Sequence, residues 1–191
     1  MKAILQAAIE GHRRAVEKSF SPAQLAVLEK ITRLILKAYK AGRKIFLCGN
    51  GGSAADSQHI AAEFMARFKR ERRSLPAIAL TTDTSILTAV SNDYRYDLVF
   101  ARQIEGLGQK GDILIAISTS GDSKNVLEAV RQAASQGMLT LGFTGAGGGA
   151  LKDKVDICFR AQSSQTPHIQ EMHITALHAV SEAVEEALFG D

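Results

Sequence analysis

Apolar residues follow two rhythms along this chain. Up to about residue 41 they recur at helical spacing, and the second such stretch puts Leu25, Leu28, Ile31, Leu34, Ile35 and Ala38 on one face, with Ser21 and Pro22 marking its start. Beyond residue 43, short continuous apolar runs alternate with helical periodicity. The pattern predicts helices over 3–18 and 22–41, then strands over 44–48, 77–81, 112–117, 138–143 and 155–160. Between and after the strands it predicts helices over 53–68, near 84–91 and 97–107, over 124–136 and over 169–188. Short buried strands separated by helices imply an α/β fold with a parallel sheet covered on both faces. Residues 1–42 then form a helical hairpin ahead of a single structural unit at 43–191. That hairpin has no strand of its own to cover, so its apolar stripe is expected to serve self-association, the alternative being a hairpin packed within its own subunit.

Two loops fall at carboxyl ends of predicted strands, where open α/β sheets bind ligands. In Ile117-Ser-Thr-Ser-Gly-Asp-Ser-Lys-Asn125 the hydroxyls of Ser118, Thr119, Ser120 and Ser123 gather at a helix N-terminus. Free N–H groups and the positive end of the dipole favour an anion such as phosphate there. The plainer alternative is a turn in which Ser123 only caps the helix. Cys48-Gly-Asn-Gly-Gly-Ser53 follows the first strand, and its glycines let the backbone approach a ligand. Ser53 is expected to cap the next helix, and Asn50 to offer an amide to sugar hydroxyls or phosphate. This is not a dinucleotide fingerprint, because Ala54 stands where its third glycine would be and no acidic residue is evident at a second strand end to hold a ribose. Gly145 to Gly149 read as a flexible turn.

His59 and Glu63 are four residues apart and therefore share a helix face. Such a pair can hold a metal or divide acid and base duties, although a surface hydrogen bond is its commoner role. On the last helix Gln170 and His178 differ by about 80° around the axis and can converge on one site, whereas His173 and His178 differ by about 140°. A lone helical histidine is usually a satisfied structural residue, the reading that applies to His12, His168 and His173.

Charge narrows the choice of partner. Twenty-three basic against 20 acidic residues leave a net charge of +3, too small an excess to suggest nucleic acid. Arg67, Lys69, Arg70, Arg72 and Arg73 crowd where a helix is expected to end, which suits a solvated C-terminus or, alternatively, contact with an anionic ligand. Cys48 and Cys158 lie in strand-like stretches without metal or redox spacing, so two buried thiols and no disulfide are expected. No N-terminal signal region is visible and no apolar run approaches the roughly 20 residues that cross a bilayer. The expectation is a cytoplasmic protein with no membrane partner.

Taken in order, Cys48-Gly-Asn-Gly-Gly-Ser-Ala54, the His59/Glu63 pair, Leu75-Pro-Ala-Ile-Ala-Leu80, Ser91-Asn-Asp93, Ile117-Ser-Thr-Ser-Gly-Asp-Ser123 and Ile169-Gln-Glu-Met-His173 make the chain resemble the phosphoheptose isomerases of the sugar isomerase (SIS) domain family. The resemblance spans nearly the whole chain. It implies a flavodoxin-like three-layer αβα sandwich with a five-stranded parallel sheet, and a homotetramer built partly through the N-terminal helices. It also implies conversion of sedoheptulose 7-phosphate to a glycero-manno-heptose 7-phosphate for surface glycans such as lipopolysaccharide core. Carried over by motif, Glu63 and His178 are the acid/base pair. Ser118, Thr119, Ser120 and Ser123 hold the phosphate, and Asn50, Gly51, Gly52, Ser53, Asn92 and Asp93 complete the sugar pocket, with Glu63, Gln170 and Arg67 as further contacts. One zinc ion per subunit on His59, Glu63, Gln170 and His178 is also implied. The same fold hosts a non-catalytic adaptor for the bacterial replication initiator and sugar-phosphate sensors. Retention of His59, Glu63 and His178 favours the enzyme.

Overall fold

A computed structural model describes residues 1–190. Helices α1 (Lys2–Ser19) and α2 (Pro22–Lys40) lead into β1 (Ile45–Cys48), α3 (Gly52–Met65), β2 (Ala77–Ala79), α4 (Thr84–Asp93) and α5 (Ala101–Leu107). Then follow β3 (Ile113–Ile117), α6 (Lys124–Ser135), β4 (Leu139–Thr144), β5 (Ile157–Arg160) and α7 (Thr166–Phe189). The five strands form one parallel sheet in the order β2-β1-β3-β4-β5.

Because successive strand side chains point to opposite faces, each strand feeds two cores. Ile45, Leu47, Ile113, Ile115 and Ile117 pack with α2, α3 and α7 on one side. Phe46, Cys48, Leu114 and Ala116 pack with Val99, Phe100 and Ile104 around α5 and with Val126, Ala129, Val130 and Ala133 of α6 on the other. The result is the three-layer sandwich that the alternation predicts.

The leading helices behave differently from each other. Leu28, Ile31, Ile35 and Ala38 of α2 are buried in the same core as α3 and α7, so its stripe is covered within the subunit. The first half of α1 is not covered: Ile4, Leu5 and Ile9 are all exposed.

Four local expectations change. Helix α3 ends at Met65 rather than 68: Ala66 N–H makes the last i−4 bond, to Ala62 O, and the amides of Phe68 to Arg70 turn to another partner. Glu185 of α7 accepts hydrogen bonds from the backbone N–H groups of Phe68, Lys69 and Arg70 at 2.7–3.0 Å and from Arg72 Nε at 2.8 Å. Burial pushes the Glu185 carboxyl up, but those donors outweigh it and hold it down at about 2. The basic run is thus a clamp, not a solvated helix end: Lys69 pairs with Glu182, Arg70 with Glu186, and the Arg72–Glu185 pair is buried. Arg67 pairs instead with the exposed Glu71, at 3.5 Å.

The glycine turn after β4 is tied down rather than loose. Gly145 N–H donates to Thr119 O, Leu151 N–H to Gly121 O and Ala150 N–H to Asp122 Oδ1. A Cβ on Gly121, whose φ is +77°, would meet Gly148 O at 2.1 Å, so this turn is the buttress beneath the Ser/Thr loop. Finally, α7 begins at Thr166, three residues earlier than expected, because Pro167 suits a first helical turn. Both cysteines are free thiols, with burial pushing Cys48 up to about 12 and Cys158 up to about 11. Among the described residues no helix is long and apolar enough to cross a membrane.

Candidate active site

The Ser/Thr loop leaves β3 at the carboxyl edge of the sheet. Ser118 Oγ lies 3.0 Å from Ser123 Oγ and 3.4 Å from Ser120 Oγ, and Gly121 N–H donates to Ser118 Oγ. Ser123 is the N-cap residue of α6, yet its hydroxyl makes no capping hydrogen bond. It turns into the loop instead and joins the hydroxyl cluster around Ser118, so the loop is not an ordinary capped turn. Ser118 is nearly buried and Ser120 exposed, so the cluster opens to solvent at one end.

The Gly-Asn-Gly-Gly loop lies beside it. Asn50 and Asn125 exchange amide hydrogen bonds at 2.8 and 2.9 Å, and Tyr96 Oη donates to Asn50 Oδ1 at 3.1 Å. The Asn50 side chain therefore ties the Gly-Asn-Gly-Gly loop to the start of α6, just after the Ser/Thr loop. Asn125 and Tyr96 escaped the sequence reading, since each matters through a residue far away in the chain. Helix α3 is capped by Gly51, at φ +55°, with Ser53 inside the helix and buried, so Ser53 is not the cap. A Cβ on Gly52 would fall 2.6 Å from Gln170 Nε2; only glycine lets that amide lie over the start of α3. Asn92 and Asp93 form the exposed last turn of α4 and are hydrogen-bonded to each other at 2.9 Å.

Two turns further along α3 is the second constellation. His59 Nε2 is 3.1 Å from Glu63 Oε1 and 3.2 Å from His178 Nε2 of α7. Ser57, Ile60, Ala61 and Phe64 anchor the other face of α3 in the core, so the cluster stands on a rigid floor. Burial lowers the His178 imidazole below its ordinary range and the nearby His59 adds to this, while Glu63 opposes. His178 is thereby kept neutral near pH 7, the form that accepts a proton or ligates a metal. One turn before His59, Asp56 has a buried Oδ2 without a hydrogen-bond partner, and burial raises its carboxyl against the pull of His59. The sequence reading passed over this group.

The donor set suits a divalent cation. The ligand atoms of His59, Glu63 and His178 lie within 4.8 Å of one another. The 3.1 and 3.2 Å separations approach the edge of about 3.3 Å that a tetrahedral zinc site with bonds of about 2.0–2.1 Å requires. Gln170 does not complete this set within the chain. Its angular position on α7 is right, but it precedes His178 by eight residues, about 12 Å of axial rise, and its amide lies over Gly52.

Comparison with known proteins fits this geometry. The SIS domain family model matches residues 11–145. A phosphoheptose isomerase from Roseiflexus sp. (strain RS-1) is 56% identical over 97% of this chain and 91% of its own length. One from Campylobacter concisus (strain 13826) is 48% identical over the full length of both chains. The solved structure of the phosphoheptose isomerase of Neisseria gonorrhoeae superposes with a TM-score of 0.92 at 38% identity, covering 97% of this chain and 98% of that one. With a hydroxyl cradle, a glycine loop and a His/Glu/His cluster on a parallel sheet, the chain belongs to the phosphoheptose isomerases, sugar-phosphate aldose–ketose isomerases of the SIS domain family.

Proposed function

We propose that the chain converts sedoheptulose 7-phosphate to D-glycero-D-manno-heptose 7-phosphate by proton transfer through an enediol. One observation carries this reading: a phosphate-type cradle and a carboxylate–imidazole pair occur on one scaffold, the first able to anchor the phosphate and the second to move protons. Ser118, Thr119, Ser120 and Ser123 hold the phosphate. The backbone of Asn50, Gly51, Gly52 and Ser53, the side chains of Asn92 and Asp93, and the Gln170 amide line the sugar, with Arg67 at the rim.

Glu63 takes a proton from C1 of the ketose and returns it to C2. As Glu63 takes the C1 proton, the neutral His178 ring donates its N–H proton to the C2 oxygen and the enediol forms; as Glu63 returns its proton to C2, His178 recovers one from the C1 hydroxyl, so both residues end as they began. His59, Glu63 and His178 are the residues that would hold zinc, which when bound supplies Lewis-acid polarisation of the sugar oxygens. The protein acts in the cytoplasm as a homotetramer with its sites where subunits meet. The exposed apolar half of α1 supports self-association, and the offset between Gln170 and His178 supports a site shared between subunits.

The test is an assay of metal-analysed protein for interconversion of the two heptose phosphates, with and without a chelator. Turnover is expected. Binding without turnover would indicate a sensor, and neither binding nor turnover would leave the adaptor reading.

A further inference from the structure

A second His/Glu cluster lies between α1 and α7. His12 Nδ1 is 2.7 Å from Glu171 Oε2, and His168 Nδ1 is 3.0 Å from the same oxygen. The ligand atoms of the three residues fall within 4.8 Å of one another, as in the cluster already described. His168 and Glu171 share a face of the first turns of α7 at i, i+3, while His12 comes from a helix at the other end of the chain. The two clusters are separate: His178 lies seven residues beyond Glu171, about 10 Å along the helix axis.

Gly11 adds an independent observation. Glycine is unfavourable inside a helix, and here a Cβ at that position would fall 2.6 Å from His168 Nε2. The helix accepts a poor residue at the one place where the imidazole needs the room. The cluster borders a cleft of about 780 Å³ whose lining includes Ile4, Ala8 and Gln165. Arg14 also faces this cleft, but its guanidinium is engaged by Glu10 at 3.2 Å.

We propose that His12, His168 and Glu171 form a divalent-metal site, fitted to Zn²⁺, that staples α1 to α7. Two imidazoles and one carboxylate are a common zinc donor set with a fourth position left open, and here that position faces the cleft. The two imidazole–carboxylate separations, 2.7 and 3.0 Å, are shorter than the tetrahedral edge of about 3.3 Å, so on binding the carboxylate moves away from both rings to admit the ion. The inference is independent of the proposed reaction, because its residues lie outside the isomerase cluster.

The experiment uses the full chain carrying His59→Ala and His178→Ala, which removes the first cluster, and measures Zn²⁺ by equilibrium dialysis with metal analysis. About one equivalent per subunit is expected. Adding His168→Ala should abolish it. Adding Gly11→Ala, which keeps every ligand but crowds the imidazole, should weaken it several-fold. Co²⁺ in place of Zn²⁺ should give the visible absorption of a tetrahedral site, lost with His168→Ala. Absence of bound Zn²⁺ from the starting variant, or binding unchanged by His168→Ala while circular dichroism reports a folded chain, would overturn the proposal.

Discussion

Helix α7 carries two clusters with the same donor types, and they differ in what holds them. His178 meets His59 and Glu63 of α3, a helix pinned to the sheet by Ile60, Ala61 and Phe64 and followed by the Glu185 clamp. Glu171 and His168 meet His12 of α1, whose first half exposes Ile4, Leu5 and Ile9. Identical chemistry is thus placed once on a preorganised floor and once on a helix with a thin hold. Proton transfer needs groups held to fractions of an ångström, which fits the α3 cluster; a staple needs less precision and would add to the hold on a helix with few buried residues.

The sharpest break in this comparison is Glu63→Gln, expected to cut kcat by about 10²- to 10⁴-fold while leaving phosphate binding intact. Steady-state kinetics with calorimetric titration of the substrate would separate the two effects. Next is the floor itself. Glu185→Ala strands Arg72 and three backbone N–H groups, a loss of about 3–5 kcal/mol for a broken buried pair. That corresponds to a fall in Tm on the order of 10 °C for a chain of this size, read by calorimetry.

Acid should loosen the same floor in two steps. His173 is buried against Thr144 O, and burial lowers its imidazole to about 4, with the hydrogen bond to Thr144 opposing. Below its ordinary 6.5 the unfolded chain takes up a proton that the native chain refuses, so stability falls as pH drops from 6.5 towards 4. Glu185, held at about 2, adds stability that is complete above 4.5 and is lost as pH falls towards 2. His173→Leu should flatten the upper step in a Tm-versus-pH series and spare the lower one. The smallest effect is Ser120→Ala, which removes one hydroxyl of four and should raise KM several-fold with kcat nearly unchanged. An unchanged KM would take Ser120 out of the cradle.

Much of this was legible in the chain itself. The alternation of apolar strands and amphipathic helices led to the sandwich, because strand parity and helix periodicity are local properties. His59 and Glu63 were visible because four residues bring them to one face. What escaped depended on partners distant in sequence. The end of α3 is set by a carboxylate on α7, and Asn50 is occupied by Asn125 and Tyr96. His12 and His168 read singly as structural histidines, yet they converge on Glu171 across almost the whole chain. The angular projection that paired Gln170 with His178 leaves out the rise along the axis, which separates the two within one chain.

The most direct test of the account is a time course of sedoheptulose 7-phosphate, followed by NMR, with the wild-type chain and the Glu63→Gln variant at matched substrate occupancy. The account predicts formation of the aldose by the wild type and none by the variant over the same interval. Aldose formation by the variant at the wild-type rate would contradict it.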